Sequence, residues 1–205
     1  MSESAEFDGS YADEQLRRAR HPLRRAVKHF YLENILKEVT GPTVDLGCGA
    51  GQLLRRLPAG SMGLEVNRGL IDSLKAEGLP VERYDASADD FGLTALAHGR
   101  YETLVMAHVL EHFSDAEAVL RKLLASCGRL GISKVILVVP GARGFASDAT
   151  HKTFVNRAYV EKHQLGSCDR FRLTSARHFP LNAESIGRLF VFHELMLVYT
   201  ADTRK

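Results

Sequence analysis

Five short apolar runs, each separated from the next by a stretch of helical spacing, constrain this chain more than any other feature. They lie at residues 43–47 (TVDLG), 60–66 (GSMGLEV), 79–84 (LPVERY), 102–107 (ETLVMA) and 134–140 (KVILVVP). Between them stand GQLLRRL, RGLIDSLKAEG, ADDFGLTALAHG and DAEAVLRKLLASCG, most of them ending at a glycine as helix C-termini often do. Repeated strand and helix of this kind predicts a mostly parallel sheet with crossover helices. Two longer β-rich stretches, SCDRFRLTSARHF and RLFVFHELMLVYTA, follow with no convincing helix between them, and predict an antiparallel pair closing the sheet. The fold class expected is therefore α/β, a Rossmann-like, mostly parallel seven-stranded sheet with helices on both faces and a C-terminal antiparallel hairpin.

A chain of 205 residues, 45% hydrophobic and 25% charged, has the composition of an ordinary globular protein and not of a disordered or membrane-spanning one. The N-terminus MSESAEFDGSYADEQ is acidic and carries no apolar segment of the secretory type, so a cytoplasmic protein is expected. Cys48, Cys127 and Cys168 are odd in number and widely spaced, which suits reduced thiols better than disulfides. Apolar residues at Leu16, Ala19, Leu23, Val27, Phe30 and Ile35 predict an amphipathic helix interrupted at Pro22 and ended by Gly41 and Pro42. That divides the chain into an N-terminal helical extension over residues 1–40 and a main domain over 41–205.

The segment VDLGCGAG, residues 44–51, closes the first strand and places Gly47, Gly49 and Gly51 at the carboxyl end of the sheet, where open α/β folds bind ligands. The G-x-G-x-G spacing differs from the dinucleotide fingerprint, whose third glycine comes one residue later. No Gly-Lys-Ser/Thr follows, which excludes a phosphate-binding Walker loop. Glu65 ends the second strand, the position from which a carboxylate can hold both ribose hydroxyls.

On these residues the chain resembles the class I S-adenosylmethionine-dependent methyltransferases, whose first motif is an acidic residue followed by x-G-x-G-x-G. Here that motif is Asp45, Leu46, Gly47, Cys48, Gly49, Ala50 and Gly51. The resemblance runs from about residue 43 to 200 and includes the terminal hairpin. It implies S-adenosylmethionine as cofactor, with Asp45 near the methionine moiety, Glu65 on the ribose, and Asp85 and Ala86 beside the adenine. The glycine-loop residues Gly47, Cys48, Gly49 and Gly51 would line the same site.

The fourth run ends in MAHVLEHF, where His108, Glu111 and His112 spell H-x-x-E-H, the pattern of an inverted zinc hydrolase site. It starts directly after a strand and offers no obvious third ligand, so no metal is assigned. The same letters resemble the methyltransferase segment after the fourth strand. By that likeness His108 faces cofactor and substrate, and His112 stays near the cleft. The polar segment PGARGFASDATHKTF suits a loop over the strand ends. Its D-x-x-H-x-x-F element resembles one found in small bacterial methyltransferases of glycan, lipid and natural-product synthesis, which makes His151 the preferred base and Asp148 its partner.

Arg17, Arg18, Arg20, Arg24, Arg25 and Lys28 crowd the N-terminal helix, and Arg24 and Arg25 can draw in an anionic acceptor group. The net charge of +2, the absence of an appended RNA-binding module and the lack of interleaved aromatics argue against a nucleic-acid substrate. The expected function is O-methylation of a small-molecule or glycan-like acceptor. A cofactor-binding regulator without catalysis and the zinc hydrolase are the alternatives.

Overall fold

The structure is a computed structural model and describes residues 31–202. The N-terminal basic cluster, including Arg24 and Arg25, lies outside the described residues, as do all but the last ten positions of the 1–40 extension.

All strands form one sheet: β1 (Thr43–Leu46), β2 (Met62–Glu65), β3 (Val81–Arg83), β4 (Thr103–Ala107), β5 (Lys134–Pro140), β6 (Ser167–Cys168), β7 (Phe171–Phe179) and β8 (Glu194–Ala201). Their order is β3-β2-β1-β4-β5-β8-β7-β6, parallel through β5 and antiparallel beyond it. The sheet thus has eight strands rather than seven. The extra one is the two-residue β6, which folds back on β7 through the Asp169 turn at φ 53°.

The apolar runs are nearly continuous because both faces of the sheet are covered. In β5, Val135, Leu137 and Val139 join the larger core, while the alternate Ile136 and Val138 pack on the other face. β8 divides the same way, with Leu195, Leu197 and Tyr199 against Met196 and Val198. The larger core is closed by α2 (Ala116–Leu130), which buries Val119, Leu120, Leu123, Leu124 and Cys127 at helical spacing. Each such leucine is worth about 1.5–3 kcal/mol of burial. The opposite face is covered by the helical residues 31–36, whose Tyr31, Leu32 and Ile35 are buried against Phe179, Val105 and Ile136.

Helix boundaries follow local chemistry. Asn67 caps α1 (Arg68–Ala76) by accepting from the Leu70 N–H. Asp115 caps α2 through Ala118, and Gly131, at φ 80°, ends it in the left-handed conformation.

Two expected helices do not form. After the glycine loop there is only a single 3-10 turn, Leu54–Arg56, because Pro58 holds Leu57 extended at ψ 155° and ends the turn. ADDFGLTALAHG is a series of turns with Asp90, Phe91 and Leu93 at positive φ, organised by Asp89, which accepts from the Tyr84 hydroxyl and from Thr94. In the reverse sense, the segment read as a plain loop after β5 contains α3 (Ala142–Ala146), and beyond it stands α4 (Arg157–Lys162). The last β-rich stretch becomes a strand only from Glu194.

Candidate active site

The sheet reverses its order at β1, which pairs with β2 on one side and β4 on the other. The glycine loop leaves β1 at that switch point. Gly47, Gly49 and Gly51 have φ of 75°, 54° and 68°, a region that L-residues rarely adopt. Their surroundings differ. A Cβ on Gly47 would meet Val109 Cγ2 at 2.5 Å, so this glycine lets the loop close against the segment after β4. A Cβ on Gly49 would meet nothing within 4 Å, so this glycine borders open space.

Glu65 ties the loop to β2. Its Oε2 accepts the Gly49 N–H at 2.8 Å, and its Oε1 accepts those of Val66 and Asn67 at 2.9 and 3.0 Å. The carboxylate is thereby fixed next to the open side of Gly49. Asp45 is buried on β1, and Cys48 is buried behind the loop, its thiol pushed up chiefly by burial and further by Asp45 and Glu65. At the end of β3, Asp85 accepts from the Ser87 and Ala88 N–H groups and shapes the turn that contains Ala86.

At the end of β4 the backbone turns sharply. His108 takes φ 57°, a conformation that costs a non-glycine residue about 1–3 kcal/mol, and its N–H donates to the Val138 carbonyl of β5. The turn aims its ring between two acids. Nδ1 is 3.4 Å from Glu111 Oε1 and Nε2 is 3.1 Å from Glu194 Oε1. Burial pulls the imidazole pKa down, yet Glu194 and Glu111 outweigh it and raise it to about 10. The two acids thus favour the imidazolium form of His108 over the proton-accepting form expected of an unperturbed histidine. Tyr31 stacks obliquely near this ring, with centroids 5.7 Å apart. Burial, with Glu194, Asp45 and Glu111 adding to it, pushes its phenol well above the ordinary value.

His108 and His112 do not form a helical ligand pair. Residues 110–112 are a 3-10 turn, and His108 precedes it in a left-handed conformation, so the same-face spacing that H-x-x-E-H needs is lost. Glu111 instead meets His112 and His151. Its side chain is wholly buried, and neither carboxylate oxygen has a hydrogen-bond partner among the described residues.

The loop carrying His151 is sewn onto this place by its backbone. The Lys152 and Thr153 N–H groups donate to the Glu111 carbonyl at 2.8 and 3.1 Å, and Thr153 Oγ1 donates to the Phe113 carbonyl. His151 Nε2 then lies 3.9 Å from Glu111 Oε1, and its Nδ1 is 2.9 Å from the Phe145 carbonyl. The His151 N–H donates to the Asp148 carbonyl at 3.3 Å, but the Asp148 carboxylate does not hold the His151 ring as expected. It accepts from Thr150 N and Oγ1, and Thr150 Oγ1 is 3.1 Å from His112 Nδ1. Burial keeps the His112 imidazole below its ordinary value, with His151 acting in the same direction and Glu111 and Asp148 opposing. Burial would raise the Asp148 carboxyl, but the bonds from Thr150 prevail and lower it.

The structure thus brings Asp45, the glycine loop, Glu65, His108, His112 and His151 to one end of the sheet. Sequence reasoning missed Glu194 and Tyr31. Glu194 is a lone acid opening an otherwise apolar strand, which is a usable signal; Tyr31 has none. No helix among the described residues is long and apolar enough to cross a membrane.

Among solved structures, the chain is similar to magnesium protoporphyrin IX methyltransferase from Synechocystis. The form with bound S-adenosylhomocysteine matches at 13% identity and TM-score 0.64, covering 97% of this chain and 98% of that one. The form with bound S-adenosylmethionine matches at 13% identity and TM-score 0.65, covering 98% of each chain. A S-adenosylmethionine-dependent methyltransferase from Archaeoglobus fulgidus matches at 18% identity and TM-score 0.63, covering 94% of this chain and 100% of that one. No curated protein sequence matches significantly. The family model described as "Methyltransferase domain" matches residues 14–190. The glycine loop at the switch point and the family match over most of the sequence agree: the chain belongs to the class I S-adenosylmethionine-dependent methyltransferases.

Proposed function

We propose that this enzyme methylates a hydroxyl of a small-molecule or glycan-like acceptor bearing an anionic group, and that the hydroxyl is ionised at the cluster of Glu111, His112 and His151. The observation that carries this reading is the Glu111 carboxylate, wholly buried and without a hydrogen bond on either oxygen, gathered with the His112 and His151 imidazoles and with His108 Nδ1 3.4 Å from its Oε1. S-adenosylmethionine is the methyl donor. Glu65 takes the ribose hydroxyls, Asp85 and Ala86 border the adenine, and Asp45 and the loop of Gly47, Cys48, Gly49 and Gly51 border the methionine end.

In the transfer the sulfonium S–CH3 bond breaks as the O–CH3 bond forms, and the hydroxyl proton leaves toward His151 Nε2. Most of the rate gain in such an in-line displacement comes from alignment and exclusion of water. His108 serves as a fixed positive charge beside the acceptor, kept in place by Glu111 and Glu194. Arg24 and Arg25, on the N-terminal extension of residues 1–40 that would act as a lid, add positive charge for the anionic group.

Incubation with methyl-labelled S-adenosylmethionine and a panel of phenols, sugars and hydroxy acids, followed by mass spectrometry, tests the reading. Label on an acceptor oxygen, with turnover lost in His151→Ala, is expected. Label on nitrogen or carbon would overturn it.

A further inference from the structure

The geometry points to a binding site for one divalent first-row transition cation formed by Glu111, His112 and His151. One ligand atom from each lies within 4.8 Å of the others. The donors come from the turn after β4 and the loop after β5, and the Lys152 and Thr153 bonds to the Glu111 carbonyl lock the two segments together.

Three features mark the cluster as more than a chance meeting of polar groups. First, Glu111 is wholly buried and neither oxygen is hydrogen-bonded, a costly state for a carboxylate unless a positive charge compensates it. His108, 3.4 Å from one oxygen, compensates part of that charge while also facing Glu194. Second, both imidazoles are oriented by their Nδ1 atoms. His151 Nδ1–H donates to the Phe145 carbonyl, which leaves the lone pair on Nε2, the atom that faces Glu111. Thr150 Oγ1 gives its proton to Asp148, which leaves it an acceptor toward His112 Nδ1 at 3.1 Å. Metal-ligating histidines are held in this way, with the far N–H on a carbonyl, a carboxylate or another acceptor. Third, two imidazoles and one carboxylate select zinc, iron(II), cobalt or manganese over magnesium or calcium, and three protein ligands leave positions open. Ligands on one such ion at about 2.1 Å stand roughly 3.0–3.5 Å apart. The cluster therefore has to contract by about an ångström.

The role of the cation rests on the proposed function. An acceptor hydroxyl on an open position loses its proton more readily, as metal-bound water does, and with His151 Nε2 on the cation that proton passes to solvent water instead of to His151. An acceptor with two adjacent oxygens, such as a catechol or a vicinal diol, fits two open positions best.

The test is direct binding. The full chain is stripped with chelator, titrated with Zn2+, Mn2+ and Co2+ by calorimetry, and examined for the visible absorption of bound Co2+. One equivalent of at least one of these cations is expected, with His151→Ala and His112→Asn each weakening it about 100-fold or more. S-adenosylhomocysteine affinity and thermal stability show whether each variant is folded, and Glu111→Gln provides a third variant of unchanged size. No retained cation, or stoichiometric binding unaltered in folded His151→Ala and His112→Asn, overturns the site. Stoichiometric binding in an enzyme whose label goes to nitrogen or carbon would leave the site standing and overturn the hydroxyl reading alone.

Discussion

His108 Nε2 stands 3.1 Å from Glu194 Oε1, joining the end of β4 to the start of β8 across 86 positions of sequence. The contact depends on the β5–β8 register, which sets Glu194 opposite Pro140, while β4 reaches the same level through the His108 bond to Val138. The same ring lies 3.4 Å from Glu111 Oε1, so the pair adjoins the Glu111 cluster.

Replacing Glu194 by Gln removes the largest influence raising the His108 pKa, and the imidazole should then titrate well below about 10. The sign for stability follows from the raised value. The contribution is fully present below the unfolded value of 6.5 and is lost as pH rises through about 10. Glu194→Gln should therefore destabilise the protein more at pH 6 than at pH 10. NMR titration of the His108 ring and denaturant melts at the two pH values check both statements.

Glu65 accepts three backbone N–H groups, and bonds to a charged acceptor are worth about 1.5–3 kcal/mol each. Glu65→Ala should weaken S-adenosylhomocysteine binding at least about tenfold and lower the melting temperature, since the Gly49 loop loses its anchor. Calorimetry on the variant alongside a thermal melt measures the two effects, and unchanged affinity would remove Glu65 from the cofactor site.

Gly47→Ala sets a Cβ 2.5 Å from Val109 Cγ2 on a backbone with φ 75°. Strain of about 1–2 kcal/mol and overpacking of about 1–3 kcal/mol should combine. Val109→Ala relieves only the overpacking. In urea unfolding the double variant should be more stable than the sum of the single effects by about 1 kcal/mol or more, and simple additivity would show that the two residues do not meet.

All three cysteines are buried, and burial pushes each thiol pKa up. The native protein should react slowly with a thiol-disulfide reagent, and three thiols should titrate promptly after denaturation. Fast modification of Cys48 in the folded protein would mean that the glycine loop opens readily.

Much of the sheet is legible in sequence because its signals are local. Val44 to Leu46, Leu104 to Met106 and Val135 to Val139 are apolar on both faces, as strands covered on both sides must be, and Asn67, Asp115 and Gly131 mark helix ends by their own chemistry. Local signals failed where a distant contact or a following residue decided the outcome. Pro58 cut the helix after the glycine loop to a single turn, and the Asp89 bonds to Tyr84 and Thr94 bent residues 88–99 into turns.

The site divides along the same line. Sequence by itself determined that a glycine loop ends the first strand, that Glu65 ends the second, and that histidines and acids follow the fourth and fifth. Those facts depend on spacing within a few residues and on turn chemistry. Only the tertiary structure decided which charges meet. The left-handed turn at His108 sends its ring to Glu194 rather than to His112, and the backbone bonds of Lys152 and Thr153 bring His151 to Glu111 while Asp148 serves Thr150. The physical reason is range: periodicity and capping act within about ten residues, whereas the protonation of His108 depends on Glu194, a carboxylate that strand register brings near from 86 positions away.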